Sequence, residues 1–111
     1  MIHLLRSRPT PEQLTEMLVE LVDYVKLAVD IERRIVVGGG ELHADCEAVL
    51  LNDDSQQKDI WGADWIPLLR EVRYESFINI RPGQNNPSMG ILDPVIRDRV
   101  NTIVREIFEG V

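Results

Sequence analysis

Val25-Lys26-Leu27-Ala28-Val29-Asp30-Ile31-Glu32-Arg33-Arg34-Ile35-Val36-Val37-Gly38-Gly39-Gly40 is the stretch on which the fold turns. Val25, Leu27, Val29 and Ile31 alternate with Lys26, Ala28 and Asp30, a period of two that predicts a strand buried on one face. Glu32-Arg33 turns the chain, and Arg34-Ile35-Val36-Val37 returns beside it to make a hairpin. Gly38-Gly39-Gly40 ends the return. Three glycines allow a tight turn or a close approach of backbone to a ligand, and the turn is the simpler reading.

Ahead of the hairpin, Thr10-Pro11-Glu12-Gln13 supplies an N-cap, a first-turn proline and a glutamine at the third helical position. Leu14, Met17, Leu18, Leu21 and Val22 then form one apolar stripe, with Glu12, Glu16 and Glu20 turned to water. Behind the hairpin, Leu42 to Leu51 fits either period; its alanines, glutamate and leucines favour a short helix, released by the turn Asn52-Asp53-Asp54-Ser55. Two further strands are expected. One runs from Ile60-Trp61 to Trp65-Ile66 and stops at Pro67; the other runs through Val72, Tyr74, Ser76, Ile78 and Ile80. A polar loop from Pro82 to Met89 follows. Asp93-Pro94 then opens a last helix with the buried stripe Ile96, Val100, Ile103, Val104 and Ile107, and Gly110 caps it. The expected fold is α+β, a single domain over residues 1–111. It has a small antiparallel sheet of about four strands, packed by N- and C-terminal helices with a short middle helix.

Composition bounds the function classes. The 111 residues are 44% hydrophobic and 28% charged, the balance of a chain that folds. No apolar run approaches the ~18 residues of a membrane span, and Met1-Ile2-His3-Leu4-Leu5-Arg6 lacks the charge order and length of a secretory signal. One cysteine gives no internal disulfide, so a cytoplasmic location is expected by default. A net charge of −7 opposes binding to nucleic acid and to anionic membranes. The local basic pairs, Arg6 with Arg8 and Arg33 with Arg34, are short and carry no interleaved aromatics.

Candidate chemistry gathers in the middle of the chain. On a helix, His43 and Glu47 share one face and could orient an imidazole, hold a metal jointly with a ligand from a distant segment, or move a proton near neutral pH. On a strand, His43, Asp45 and Glu47 would share a face instead. These three are the candidate catalytic residues. The pattern is not His-Glu-x-x-His and Cys46 has no thiol partner, so no metal site and no cofactor are expected. Cys46 lies on the apolar face in both readings and is expected in the core. Trp61 and Trp65 flank Gly62-Ala63-Asp64, where a bulge could expose one indole to stack a ligand; packing against the helices is the simpler role. Asn79-Ile80-Arg81-Pro82-Gly83-Gln84-Asn85-Asn86 is the best recognition loop. Asn79 and Arg81 would share a strand face, and a cation beside an amide suits a carboxylate or phosphate. Trp65, Asn79, Arg81, Asn85 and Asn86 are accordingly the candidate ligand-binding residues.

Four segments taken together carry a resemblance: Asp30-Ile31-Glu32, Gly38-Gly39-Gly40-Glu41-Leu42-His43-Ala44-Asp45, Asp59-Ile60-Trp61-Gly62-Ala63-Asp64-Trp65 and Asn79-Ile80-Arg81-Pro82. The chain resembles a small bacterial family of proteins of unknown function from Tyr24 to the last helix. That resemblance implies a bacterial, soluble protein and transfers no activity or catalytic residue. The family-like turn would carry glycine where this chain has Asp54, a departure that bears on the turn alone.

Two functional readings follow. The first is a small cytoplasmic binding or interaction domain, a homodimer joined through a sheet edge or helix face, or one that meets another protein partner. The second is an enzyme acting on a small anionic substrate, with His43 as acid or base, Asp45 or Glu47 orienting it, and Arg81 holding the anion.

Overall fold

The structure, a computed structural model, describes all residues from Met1 to Val111. Its elements run β1 (His3–Leu5), α1 (Pro11–Met17), β2 (Val25–Asp30), β3 (Ile35–Gly38), α2 (His43–Asn52), β4 (Ile60–Ile66), β5 (Glu71–Arg73) and α3 (Pro94–Phe108). All strand pairs are antiparallel, and the sheet order is β1-β3-β2-β4-β5. The α+β class expected from the sequence is the one observed.

The hairpin forms where its alternation placed it. Asp30 turns the chain because its Oδ1 accepts the N–H groups of Glu32 and Arg33, each at 2.9 Å, while Arg34 N–H closes the loop on Asp30 O. The strand is buried on both faces, not one. Val25, Leu27 and Val29 join Trp61, Ala63 and Trp65 in the larger core, beneath α1 and α3. Ala28 on the opposite face meets Val37, Cys46, Leu50 and Ile60 beneath α2. Arg33 ties the far end of α2 to the hairpin turn: it donates to Asp53 O, to the Asp53 carboxylate and to Ser55 Oγ, each at 2.7 Å. With Arg6 beside it, this bond holds the Asp53 carboxyl below its ordinary range.

Both terminal helices start where their caps predict. Thr10 and Gln13 complete a capping box, and Asp93 Oδ1 accepts Val95 N–H at 2.9 Å. A single helix of this length is marginal alone. What holds α3 is burial of Val100, Ile103, Val104, Ile107 and Phe108, each contributing about 1.5–3 kcal/mol relative to exposure.

Three expectations are corrected. β1 was not anticipated: three residues, His3–Leu5, carry no readable period, yet they pair with Gly38, Val37 and Val36. The first helix stops at Met17, so Leu18 to Val22 do not extend it, and Val22 lies exposed at a φ of 64°. The strand expected from Val72 to Ile80 pairs only over Glu71–Arg73; its remainder forms a 3-10 turn at Phe77–Asn79. With β1 added to the four strands expected, the sheet has five. Asp54, where glycine would suit the turn, adopts a φ of 73°.

Candidate functional site

Sheet register assembles the site. Lys26 on β2 stands opposite Asp64 on β4, and Asp64 stands opposite Arg73 on β5. Directly opposed residues share a sheet face, so Lys26, Asp64 and Arg73 form a cross-strand row of cation, carboxylate and cation. His43, first residue of α2, closes on the middle of this row. Its Nε2 lies 2.8 Å from Asp64 Oδ1 and 3.2 Å from Ala63 O. Both neighbours are acceptors, so Nε2 carries the proton and donates, which leaves Nδ1 as the acceptor of the neutral ring. The His43 and Asp64 side chains are mostly buried, at 11% and 15% exposure.

The cations are not consumed by Asp64. Lys26 Nζ donates to Glu41 O at 3.0 Å, and Arg73 lies 3.6 Å from the exposed Glu71 carboxylate. A cleft of about 840 Å³ runs from this row and His43 to Arg97 on α3. Three cationic side chains, Lys26, Arg73 and Arg97, line it against two carboxylates, Asp64 and Glu75. The local balance is therefore positive in a chain of net charge −7. Arg97 is held by Ile91 O, which accepts from Nε and Nη2 at 3.1 and 2.9 Å, and it lies over the Tyr74 ring at 5.7 Å. Partial burial pushes the Tyr74 phenol up from its ordinary value, with Arg105 and Arg97 opposing.

The residues singled out from the sequence divide into separate places. His43 lines the cleft, but its carboxylate partner is Asp64 rather than Asp45 or Glu47. Asp45 is exposed in the first turn of α2. Glu47 instead meets Arg81, with Oε2 to Nη2 at 3.7 Å. Arg81 serves the backbone: it donates to Ile78 O at 2.9 Å, to Gln57 O at 2.8 Å and to Ile60 O. Its guanidinium lies over the Trp61 ring at 4.6 Å. Burial lowers its pKa and Glu47 works against that shift.

Asn79 and Asn86 are buried, and their amides are committed to the backbone. Asn79 Oδ1 accepts Gly62 N–H at 2.8 Å, while Nδ2 donates to Gly62 O at 3.0 Å and to Tyr74 O at 2.8 Å. Asn86 Nδ2 donates to Asn79 O and Gly90 O, each at 2.7 Å, and its Oδ1 accepts Leu92 N–H at 2.9 Å. Asn85 is exposed at a φ of 58°, in the turn that lets Arg81 and Asn86 pair. Trp65 is 1% exposed and stacks on Phe108 with ring centroids 5.9 Å apart, so no indole is bared by a bulge. Cys46 is fully buried, and burial pushes its thiol up to about 11. Arg81, Asn79, Asn86 and Trp65 thus build the frame around the cleft without lining it.

Lys26, Asp64, Arg73 and Arg97, which line the cleft, were not singled out from the sequence. The available signal was a charged residue inside an apolar strand, in Val25-Lys26-Leu27 and Ala63-Asp64-Trp65. Spacing alone does not reveal that these strands are neighbours.

A family model described as a protein of unknown function (DUF5674) matches residues 3–107. No curated protein and no solved structure matches the chain.

Proposed function

Because the chain belongs to DUF5674, a family of proteins of unknown function, we propose from the site alone that it is a binding domain for a small anionic molecule. One observation carries the reading: the row Lys26–Asp64–Arg73, with His43 bonded to its middle carboxylate, opens on a cleft of about 840 Å³. That volume suits a small molecule. The row's carboxylate is occupied by His43, which leaves its two cations to meet a carboxylate or phosphate. The domain acts in the bacterial cytoplasm, as a single chain or joined to a second copy through a sheet edge.

Titration of the ¹⁵N-labelled domain with acetate and with inorganic phosphate tests this. Saturable shifts are expected at Lys26, His43, Asp64 and Arg73, and replacing Lys26 and Arg73 by methionine weakens binding about tenfold or more. Absence of a saturable shift at these residues, or shifts confined to the exposed Arg6 and Arg8, overturns the reading.

The His43 geometry favours a second reading, an enzyme acting on a small anion. Asp64 fixes the imidazole through Nε2, and Nδ1, without a protein hydrogen bond, is free to take a proton from a bound molecule. Here His43 is the acid or base and Asp64 its positioning residue. Turnover of a bound anion that is lost in His43→Gln, with binding retained, separates catalysis from binding.

A further inference from the structure

We infer that the anion entering this cleft is carried on a flat aromatic body, so that the ligand class is an aromatic carboxylate. The inference rests on the anion-binding reading and adds the nature of the rest of the molecule. Its basis lies in the apolar side chains that line the same cleft as the charged row. Phe77 and Leu92 both line the cleft, yet Phe77 is 79% exposed and Leu92 52% exposed. A large apolar side chain held in water on a rigid support is a surface for stacking or packing.

The support is rigid for identifiable reasons. Phe77 opens the 3-10 turn Phe77–Asn79, and Ser76 Oγ caps that turn by accepting Ile78 N–H at 3.2 Å. Ser76 N–H donates to Met89 O at 2.9 Å, which ties the Phe77 arm of the wall to the Met89–Leu92 arm. Asn79 Nδ2 donates to the same Met89 carbonyl at 3.1 Å, and Asn86 holds Leu92 N–H. Both arms are therefore anchored through their backbones while the Phe77 ring projects unpacked. The cleft lining offers Phe77, Met89 and Leu92 to an apolar body, and Lys26 and Arg73 to a charge. A ligand that uses both must combine a planar apolar part with an anion. A simple sugar phosphate or a short aliphatic diacid would leave the ring in water.

The test uses 2-naphthoate, acetate and the neutral analogue 2-naphthylmethanol on the full chain, followed by ¹⁵N shifts. Wild type should bind 2-naphthoate at least about tenfold more tightly than acetate, and more tightly than the neutral alcohol. Phe77→Ala should erase the preference for the ring and leave acetate affinity unchanged. Its exposed position makes loss of fold unlooked for, and a urea melt of the variant verifies this. Equal affinities of wild type for 2-naphthoate and acetate overturn the aromatic inference and leave the anion reading standing. If neither carboxylate produces saturable shifts at Lys26, Asp64 and Arg73, the underlying anion reading fails. Should Phe77→Ala change the mass in light scattering, the ring serves contact with a second copy, and the inference falls on that ground.

Discussion

The carboxamide of Asn79 pairs with both backbone groups of Gly62, accepting its N–H at 2.8 Å and donating to its C=O at 3.0 Å. A side chain here does the work of a neighbouring strand. β5 covers β4 only from Asp64 to Ile66, and Asn79 satisfies the ladder groups that its shortness leaves open at Gly62. Gly62 is required for the approach, since a Cβ there would meet Ser76 Cβ at 2.5 Å.

Asn79→Ala should therefore cost stability well beyond a surface change. It removes the partners of Gly62 N–H, Gly62 C=O and Tyr74 C=O, and buried groups left unmet cost about 1–3 kcal/mol each before relaxation. A total loss of about 3 kcal/mol or more is expected in urea denaturation. Asn79→Asp should be no better, because it keeps the acceptor and sets a charge against carbonyl oxygens. A loss below about 1 kcal/mol in both variants would show that the loop is held by other means.

Arg81 and Glu47 give a second prediction. Arg81→Met leaves Glu47 mostly buried without its cation and removes donors from three carbonyls, for an expected loss of about 3–5 kcal/mol. Adding Glu47→Gln should recover part of that loss, because an amide tolerates the site better than an unpaired carboxylate. Equal stability of the single and double variants would mean that the ion pair contributes nothing.

The thiol of Cys46 makes stability depend on alkaline pH. Its folded value of about 11 lies above the ordinary 9.0, so the folded state holds the proton longer than the unfolded chain. Protein stability attributable to this group is full below pH 9.0 and is lost as pH rises toward 11, with a span of about 2–3 kcal/mol. Cys46→Ala should flatten the fall in denaturation midpoint over that window. An identical slope in the variant would show that other groups govern it.

Asp64→Asn tests what the carboxylate contributes to binding. The amide oxygen can still accept from His43 Nε2, so stability should change by less than about 1 kcal/mol. Losing the carboxylate makes the cleft floor more positive, and acetate should bind a few-fold more tightly, within the ~1 kcal/mol expected of partly exposed charges. Weaker acetate binding would instead mean that the carboxylate is needed to hold His43 for the ligand.

The contrast between His43 and Asp64 shows what the sequence made legible. The Val25–Val37 hairpin was readable because Val25 to Ile31 alternate without a break and the apolar run Ile35-Val36-Val37 follows a polar turn, and α3 because Asp93-Pro94 and a regular stripe mark it. Cys46 and the middle helix followed from side-chain type. His43 was singled out, but its partner was sought one helical turn away at Glu47. The actual partner sits on β4, brought beneath α2 by long-range packing that no local spacing encodes. Asn79 and Arg81 misled for a related reason. Polar groups in a loop resemble ligand donors until the unpaired strand edge they satisfy is known.

β4 itself reads Ile60-Trp61-Gly62-Ala63-Asp64-Trp65-Ile66, apolar except for one aspartate. Such a run, bared along an edge, is a template for stacking into cross-β ribbons with other chains. β2 closes one side of it from Ile60 to Trp65, whereas β5 closes only part of the other. At Gly62 the ladder ends in a carboxamide, to which no further strand can be added. The loop that carries Asn79 therefore blocks edge-to-edge pairing at Gly62 as well as framing the cleft.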